Sequence, residues 1–186
     1  MANDGRVGFY TMLSGAGVTN DNDTAMFAGM PDDMHLLVRE DDLAPGAGGA
    51  RFAGFDFTHL NGAGEGVFWS VLRGDGVDTT NNNAVYAVDQ LGDLHLLGRE
   101  GDPFMVAPGD VRIIHDIDYT RQYVNHSGGD GFPRSINDDG QVALRIAFAD
   151  GSQGLFIANI PAVPEPASIS ACGVAAAMFF MGRRRR

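Results

Sequence analysis

Four residues near the middle of the chain are of the types that bind metal ions. His115, Asp116 and Asp118 lie just before the glycine-rich segment 120–132, and His126 lies within it. Imidazole nitrogens and carboxylate oxygens are ordinary ligands of divalent metals. Their spacing matches no usual ligand pattern, so the sequence favours solvated polar side chains over a metal site.

Two acidic loops offer oxygen ligands of the kind that calcium prefers. One contains Asp21-Asn22-Asp23, and the other covers residues 75–83. Neither has the ligand spacing or the closing glutamate of an EF-hand loop. We interpret both as solvated turns that bind Ca²⁺ loosely at most, and we expect no cofactor.

The serines and histidines do not form a recognisable nucleophilic centre. His126-Ser127, with Asp130 nearby, has the residue types of a hydrolase, but the sequence contains no Gly-x-Ser-x-Gly elbow. It also contains no Gly-x-Gly-x-x-Gly motif and no phosphate-binding loop. We therefore expect a protein without enzymatic activity. The alternative is an exported hydrolase or glycan-binding module whose site lies in loop 120–132 or in upstream repeats.

Two eight-residue segments resemble each other closely. His35-Leu-Leu-Val-Arg-Glu-Asp-Asp42 and His95-Leu-Leu-Gly-Arg-Glu-Gly-Asp102 lie 60 residues apart. A residue that recurs together with its neighbours is typical of a structural role. We interpret His35 and His95 as packed side chains that make a repeated hydrogen bond.

A second pattern, Asn-x-x-Gly-x-x-small-apolar, recurs in step with these segments. It covers Asn61, Gly64 and Phe68, then Asn137, Gly140 and Leu144, while Gly5 belongs to a degenerate first copy with Ala2 in place of asparagine. Asparagine and glycine at this spacing are typical of tight turns. The separation grows from 59 to 76 residues, and the excess falls in 120–132, which we expect to be an exposed loop.

Each copy of the pattern predicts four short strands. After Gly140, apolar residues alternate with others at a period of two, which is typical of a strand with one buried face. Phe9, Phe68 and Leu144 have the same place after their turns, and we expect them to be buried. Further strands are predicted around 26–27, 85–86 and 155–156, at both His-Leu-Leu segments, and at 52–57 and 111–119. The predicted fold class is all-β, with four-stranded antiparallel meander units in an incomplete, propeller-blade-like array and one C-terminal helix.

The predicted β-repeat region spans 1–161, with units at about 2–60, 61–136 and, in part, 137–160. It resembles the tandem-repeat surface proteins named for their NxxGxxAF motif and choice of anchor, although the last two positions are Val67-Phe68 and Ala143-Leu144 here. The resemblance implies a secreted or surface-held repeat array with no known reaction. The third unit stops early and residues 1–10 contain no secretory leader, so we expect further sequence upstream.

The C-terminus divides into three consecutive parts. Residues 162–168 are proline-rich and extended, and they contain Pro164, Glu165 and Pro166. Residues 167–182 carry no charge, and as a helix they would span about 24 Å of a hydrocarbon core of about 30 Å. The basic tail consists of Arg183, Arg184, Arg185 and Arg186. A core helix and a solvated tail would explain these parts singly, but not their order.

This order resembles the PEP-CTERM sorting signal of Gram-negative and related bacteria. The resemblance implies that an exosortase, a membrane protease, recognises Pro164, Glu165 and Pro166 and removes the helix and the basic tail. Arginines stay on the cytoplasmic side, so the rest of the chain would lie outside. We therefore expect an exported protein of the cell envelope or exterior, held briefly in the inner membrane by its C-terminal helix.

The rest of the chain is strongly acidic. Twenty-three of the 24 acidic residues but only nine of the 13 arginines precede residue 164, the chain has no lysine, and the net charge is −11. Such a surface repels nucleic acid and favours solubility. The single cysteine, Cys172, cannot form an intrachain disulfide. We expect a non-enzymatic surface or matrix protein that contacts exopolysaccharide or other surface components, and no nucleic acid.

Overall fold

The computed structural model describes residues 5–119 and 135–161, without the side chains of residues 57 and 58, and these ranges form strands and no helix. The strands are β1 Val7–Met12, β2 Thr24–Met30, β3 Asp33–Arg39, β4 Arg51–Leu60, β5 Gly66–Arg73, β6 Asn83–Val88, β7 Leu94–Arg99, β8 Pro103–Ala107, β9 Asp110–Tyr119, β10 Gln141–Phe148 and β11 Gln153–Asn159. All strand pairs are antiparallel. The predicted all-β antiparallel fold is confirmed.

Two predicted features lie outside the described residues. They are the insertion 120–132 and the C-terminal segment 162–186 with its helix at 167–182. Within the described ranges, no helix is long and apolar enough to cross a membrane.

The strands form three meander sheets, which we call the first, second and third sheets. They contain β1–β3, β4–β7 and β8–β11 respectively. The prediction that the four strands of each unit form one sheet is wrong. The last predicted strand of each of the first two units, β4 and β9, belongs to the next sheet, because β4 pairs with β5 and β9 pairs with β10. The tight turn between β4 and β5 makes this pairing local, whereas a longer connection, 40–50, separates β3 from β4.

One strand was missed by the sequence analysis. β8 pairs with β9 around a turn that contains Pro108 and Gly109, and Gly109 has a φ of 83°. Proline and glycine in sequence are a turn signal between two extended runs. In the first copy, the corresponding segment forms only an isolated bridge between Leu43 and Arg51.

The strand that follows each predicted turn pairs with its neighbour in the same register. The opposed pairs are Phe9 with Phe27, Phe68 with Tyr86, and Leu144 with Phe156. The pairings with the third strand also agree. A β-bulge shifts the register between β2 and β3 and, at the matching position, between β6 and β7. Three hairpins far apart in the chain therefore have one geometry.

The second sheet is buried on both faces because it packs between the other two. Phe68 and Leu72 on β5 face a core that includes Met26 of the first sheet. Val67, on the opposite face of β5, belongs to a core that includes Leu144 of the third sheet. Alternation along one strand therefore supplies both cores.

Aromatic side chains fill the core between the first and second sheets. The ring of Tyr86 stacks on Phe68 at a centroid distance of 5.7 Å and meets the edge of Phe52 at 5.1 Å. All three rings are fully buried, and the Tyr86 hydroxyl donates to the carbonyl of Pro45 at 3.0 Å. Burial raises the pKa of Tyr86, so the phenol stays neutral and remains a donor.

The three residues predicted to be equivalent, Phe9, Phe68 and Leu144, differ in burial. Phe68 and Leu144 are buried as predicted, but the prediction for Phe9 is wrong because 47% of it is exposed. Its ring stacks on Phe27, at 5.9 Å, on the outer face of the first sheet. No described sheet covers that face, so the same position in the hairpin is left at the surface.

The contact between the second and third sheets leaves no room for a side chain at Gly98. A Cβ atom on Gly98 of β7 would lie 2.5 Å from Cδ1 of Ile117 on β9. We predict that Gly98→Ala lowers the free energy of unfolding by about 1–3 kcal/mol through overpacking. Ile117→Val removes the opposing methyl group, so the double variant should lose less stability than the two single variants together.

Urea unfolding of the four proteins in this cycle measures the coupling. Gly54→Ala is the matched control, because a Cβ there would meet only the carboxylate of Glu40, at 3.9 Å, and should leave stability nearly unchanged. Strict additivity of Gly98→Ala and Ile117→Val would contradict this packing of β7 on β9.

Candidate functional site

Asn61 and Asn137 organise two turns of the same geometry. Each side-chain oxygen accepts hydrogen bonds from the backbone N–H groups two and four residues later, at 2.8–3.1 Å. Gly64 and Gly140 close the turns with φ values of 88° and 70°. Glycine adopts these values without strain, so both residue types in the motif have a local physical reason.

A third turn of this kind, missed by the sequence analysis, begins at Asp89. One carboxylate oxygen of Asp89 accepts from the backbone N–H groups of Leu91 and Asp93 at 2.9 and 3.0 Å. Gly92 closes the turn with a φ of 88°. The available signal was Asp-x-x-Gly, since aspartate offers the same acceptor oxygen as asparagine.

The side-chain atom that does not form the turn explains why asparagine occurs at position 61 and aspartate at position 89. The Asn61 amide nitrogen donates to the carboxylate of Glu65 at 2.7 Å and to the carbonyl of Asn137 at 3.0 Å. A carboxylate could make neither bond, because an ionised aspartate only accepts. At Asp89 the second oxygen instead lies 2.9 Å from Nε2 of His95, where a charged acceptor is favourable.

The Asn61 and Asn137 turns touch each other although 76 residues separate them in sequence. Besides the Asn61 bond, the backbone N–H of Gly62 donates to the carboxylate of Asp138 at 3.1 Å. Two further side chains reach the Asn61 turn: Arg6 donates to the carbonyl of Ala63 at 3.2 Å, and Gln90 donates to Glu65 at 3.3 Å. We call this group, formed by Arg6, Asn61–Glu65, Gln90 and Asn137–Gly140, the turn cluster.

The turn cluster joins parts of all three sheets. Arg6 precedes β1, the Asn61 turn connects β4 to β5, and the Asn137 turn precedes β10. Asn61 is fully buried, and Glu65 is nearly so. A buried carboxylate needs hydrogen bonds to offset its loss of hydration, and the amides of Asn61 and Gln90 supply them. The cluster therefore acts as a polar tie between sheets.

The two acidic loops use their oxygen atoms within the protein. Arg39 and Arg99 donate from Nε to the carbonyls of Asn22 and Asn81, at 2.6 and 2.7 Å. Each asparagine in turn accepts from a backbone N–H three residues earlier, at 2.9 Å. These contacts match in both loops, so each of the two similar Arg-Glu segments holds one acidic loop.

Individual carboxylates of these loops also have partners. Arg73 on β5 pairs with Asp21 and Asp41, at 3.1 and 3.0 Å, and so ties loops of the first sheet to the second. Asp78 accepts from the hydroxyl and the backbone N–H of Thr80, and these bonds lower the pKa of Asp78. The oxygens are directed at arginines and backbone donors rather than at a common point.

The histidine interpretation is only partly supported. His95 pairs with buried Asp89, whereas His35 is exposed and lies 3.3 Å from exposed Asp33. The prediction of a repeated hydrogen bond is therefore wrong. The turn between β2 and β3 is shorter than that between β6 and β7 and has no counterpart of Asp89.

The structure places His115, Asp116 and Asp118 on β9 of the third sheet. His115 is exposed, and the carboxylate of Asp116 is hydrogen-bonded to Arg145 of β10. His126 lies outside the described residues. In residues 5–119 and 135–161, no three His, Cys, Asp or Glu side chains are grouped to hold a metal ion. Over the same residues, every buried side-chain nitrogen or oxygen has a hydrogen-bond partner.

An open groove of about 540 Å³ runs beside β7. Its walls come from the 45–46 turn, residues 94–97 of β7, Asn159 at the end of β11, and Pro161. The groove has few polar side chains, chiefly His95 and Asn159, so it offers shape and backbone edges rather than catalytic groups. The predicted sorting residues, Pro164, Glu165, Pro166 and Arg183–Arg186, lie outside the described residues.

The chain belongs to a family of unknown function, DUF7453, whose model matches residues 1–170. No curated protein and no solved structure matches it.

One substitution tests the Asn61 amide directly. Asn61→Asp keeps the acceptor oxygen but places a second oxygen against the carboxylate of Glu65 and the carbonyl of Asn137. We predict a loss of about 3 kcal/mol or more in unfolding free energy at neutral pH, because a charge is left buried without a donor. The folded state raises the pKa of this new carboxyl, so the loss should shrink as the pH falls towards 4.

Asn137→Asp is the matched control, because the amide of Asn137 is exposed and donates to the exposed side chain of Gln141. Its effect should stay within about 0.5 kcal/mol. Equal losses for the two variants in chemical denaturation at pH 7 would show that Asn61 does not hold the turns together.

Asp89 makes a pH-dependent contribution to stability. Burial opposes its ionisation, but hydrogen bonds from His95 and from two backbone N–H groups outweigh this and lower the pKa of Asp89. A lowered pKa stabilises the folded state above the ordinary aspartate range, and this stabilisation disappears as the pH falls through the folded-state pKa. We predict that Asp89→Asn costs about 1–2 kcal/mol at pH 7 and progressively less below pH of about 4.

Thermal unfolding between neutral and acid pH measures the difference from wild type. Asp75→Asn, in an exposed loop, should differ from wild type by the same small amount throughout. A constant difference for Asp89→Asn would rule out the assigned role of the carboxylate charge.

Proposed function

We propose that this protein is an exported, non-enzymatic bacterial surface or matrix protein, with a body built from tandem sheet units and a C-terminal sorting signal read by an exosortase. The observation that carries the proposal is the order of the tail: Pro164-Glu165-Pro166, the uncharged segment 167–182, and Arg183–Arg186 at the end.

The three parts of the tail have different physical tasks. The uncharged segment halts translocation because it is more stable in lipid than in water. The four arginines resist crossing, since each charge at the membrane centre costs about 2.5–3.5 kcal/mol on insertion scales. Pro164 and Pro166 keep the backbone extended and unpaired outside the membrane, which suits a protease.

Three structural correspondences support the tandem array. The hairpins share one register, the arginines of both Arg-Glu segments hold matching loop carbonyls, and the motif asparagines form matching turns. Meander sheets packed face to face are also the arrangement of propeller blades. We therefore propose an incomplete, propeller-blade-like array.

The polar chemistry of the body supports a scaffold role. In the turn cluster, the side chains of Asn61, Glu65 and Gln90 bond to one another and to the adjoining turn, so their hydrogen-bonding capacity serves stability. The net charge of −11 favours solubility outside the cell. The sheet units and polar loops provide a scaffold for contacts with other surface components, so we propose exopolysaccharide as a partner.

The tail is tested by substitution when the chain is produced behind a working secretory signal. Replacing Pro164, Glu165 and Pro166 with alanine should leave membrane insertion intact, because the apolar segment is unchanged, but should block processing. Replacing the four arginines with neutral residues should instead weaken orientation or retention. Mass measurement of the C-terminal peptide, in hosts with and without an exosortase, distinguishes the two effects.

Alanine at Val163 and Ser168, which flank the motif, is the matched control and should leave processing intact. A mature C-terminus that still ends at Arg186 in the exosortase-containing host would reject the sorting signal and leave a simple membrane anchor.

A further inference from the structure

The two ends of the sheet stack expose apolar side chains. On the outer face of the third sheet, Leu155 and Ile157 of β11 are 83% and 62% exposed, and Val111 and Ile113 of β9 are also exposed. β10, which carries Arg145, lies between these two strands. On the outer face of the first sheet, Phe9 and Leu36 are exposed around Phe27. We call these the back face and the front face.

The second sheet has a face equivalent to the back face, and another sheet covers it. Leu155 lies opposite Arg145, and Ile157 lies opposite Ala143, on the hairpin β10–β11. Val85 and Ala87 have the matching places on the hairpin β5–β6, opposite Trp69 and Val67. Val85 and Ala87 are fully buried because the third sheet packs on them. The same positions are thus covered by a sheet in one case and exposed in the other.

The front face matches the opposite side of this internal interface. Phe9 and Phe27 pair in the register in which Phe68 and Tyr86 pair on the second sheet. Leu36 lies opposite Phe27, as Leu96 lies opposite Tyr86. Phe68 and Tyr86 are buried against the first sheet. The front face of the first sheet therefore corresponds to the face of the second sheet that packs on the first sheet.

We propose that copies of this chain stack head to tail, with the back face of one copy on the front face of the next. The contact continues the sheet-on-sheet interface that already occurs twice within the chain. It joins two different surfaces and leaves one free at each end, so association proceeds to a closed ring or an open filament. The proposal rests on the sheets alone and does not depend on the sorting of the tail.

Two double variants test the proposal in the full-length chain, kept soluble by a mild detergent. The front variant is Phe9→Ser with Leu36→Ser, and the back variant is Leu155→Ser with Ile157→Ser. All four side chains are exposed, so the fold should persist, as far-UV circular dichroism can verify. Sedimentation velocity should show wild-type association that rises with concentration, and each variant should weaken it by about tenfold or more.

Mixing the two variants gives the decisive measurement. The front variant keeps an intact back face and the back variant keeps an intact front face, so an equimolar mixture should form dimers that grow no further. Leu91→Ser, which changes an exposed leucine in the turn between β6 and β7, is the control and should associate like wild type.

Several results would overturn the proposal. A wild-type chain that stays monomeric at every concentration would show that the back face and the front face do not bind each other. Association that survives unchanged in both variants would show that the copies bind through other residues than these two faces. Loss in the back variant only, with no rescue in the mixture, would indicate a symmetric back-to-back dimer.

Discussion

The side-chain amide of Asn61 is the interaction on which the arrangement of the sheets most depends. Its oxygen shapes the turn between β4 and β5, and its nitrogen bonds both to Glu65 and to the backbone of the Asn137 turn. One buried group thus fixes a local hairpin and a contact between turns 76 residues apart. Since it is fully buried, each of its bonds forms in a low-dielectric setting where an unmet donor or acceptor is costly.

Around this polar tie, apolar packing does most of the work of stabilisation. The second sheet has apolar side chains on both faces and belongs to two cores, so it can be covered only if sheets lie on both sides of it. Loop contacts reinforce the order: Arg73 links the second sheet to loops of the first, while Arg39 and Arg99 brace the loops that precede β2 and β6. Polar contacts set the alignment of the sheets, and burial of apolar surface supplies most of the stability.

The elements predicted well from sequence were those determined by local chemistry. Asparagine, glycine and alternating apolar residues indicate a turn followed by a strand, and the strands at both His-Leu-Leu segments lie where the repeated spacing placed them. The division into sheets was not predictable in this way. The predicted repeats begin at the Asn turns, which places β4 and β5 in different units, although the Asn61 turn joins these two strands in one hairpin. Sequence spacing does not show which side of a turn begins a sheet.

Other errors arose where the outcome depends on distant neighbours. Phe9 and Phe68 have the same place in their hairpins, but only Phe68 has a sheet packed over it. His35 and His95 occur in similar segments, but His95 pairs with the buried Asp89 of the preceding turn, whereas His35 lies near the exposed Asp33. Gly98 stands where Val38 stands in the other segment, because Ile117 of the third sheet occupies the space that a side chain would need.

Hydrogen exchange of side-chain amides, followed by NMR, tests most directly whether the turn cluster joins the sheets. Asn61 and Asn137 provide an internal comparison, since both amides belong to the same kind of turn and only Asn61 is buried between turns. We expect the amide protons of Asn61 to exchange as slowly as backbone protons in the middle of β5 and to show contacts to the Asn137 turn, while those of Asn137 exchange rapidly. Equally fast exchange at both amides would contradict the claim that Asn61 joins the sheets.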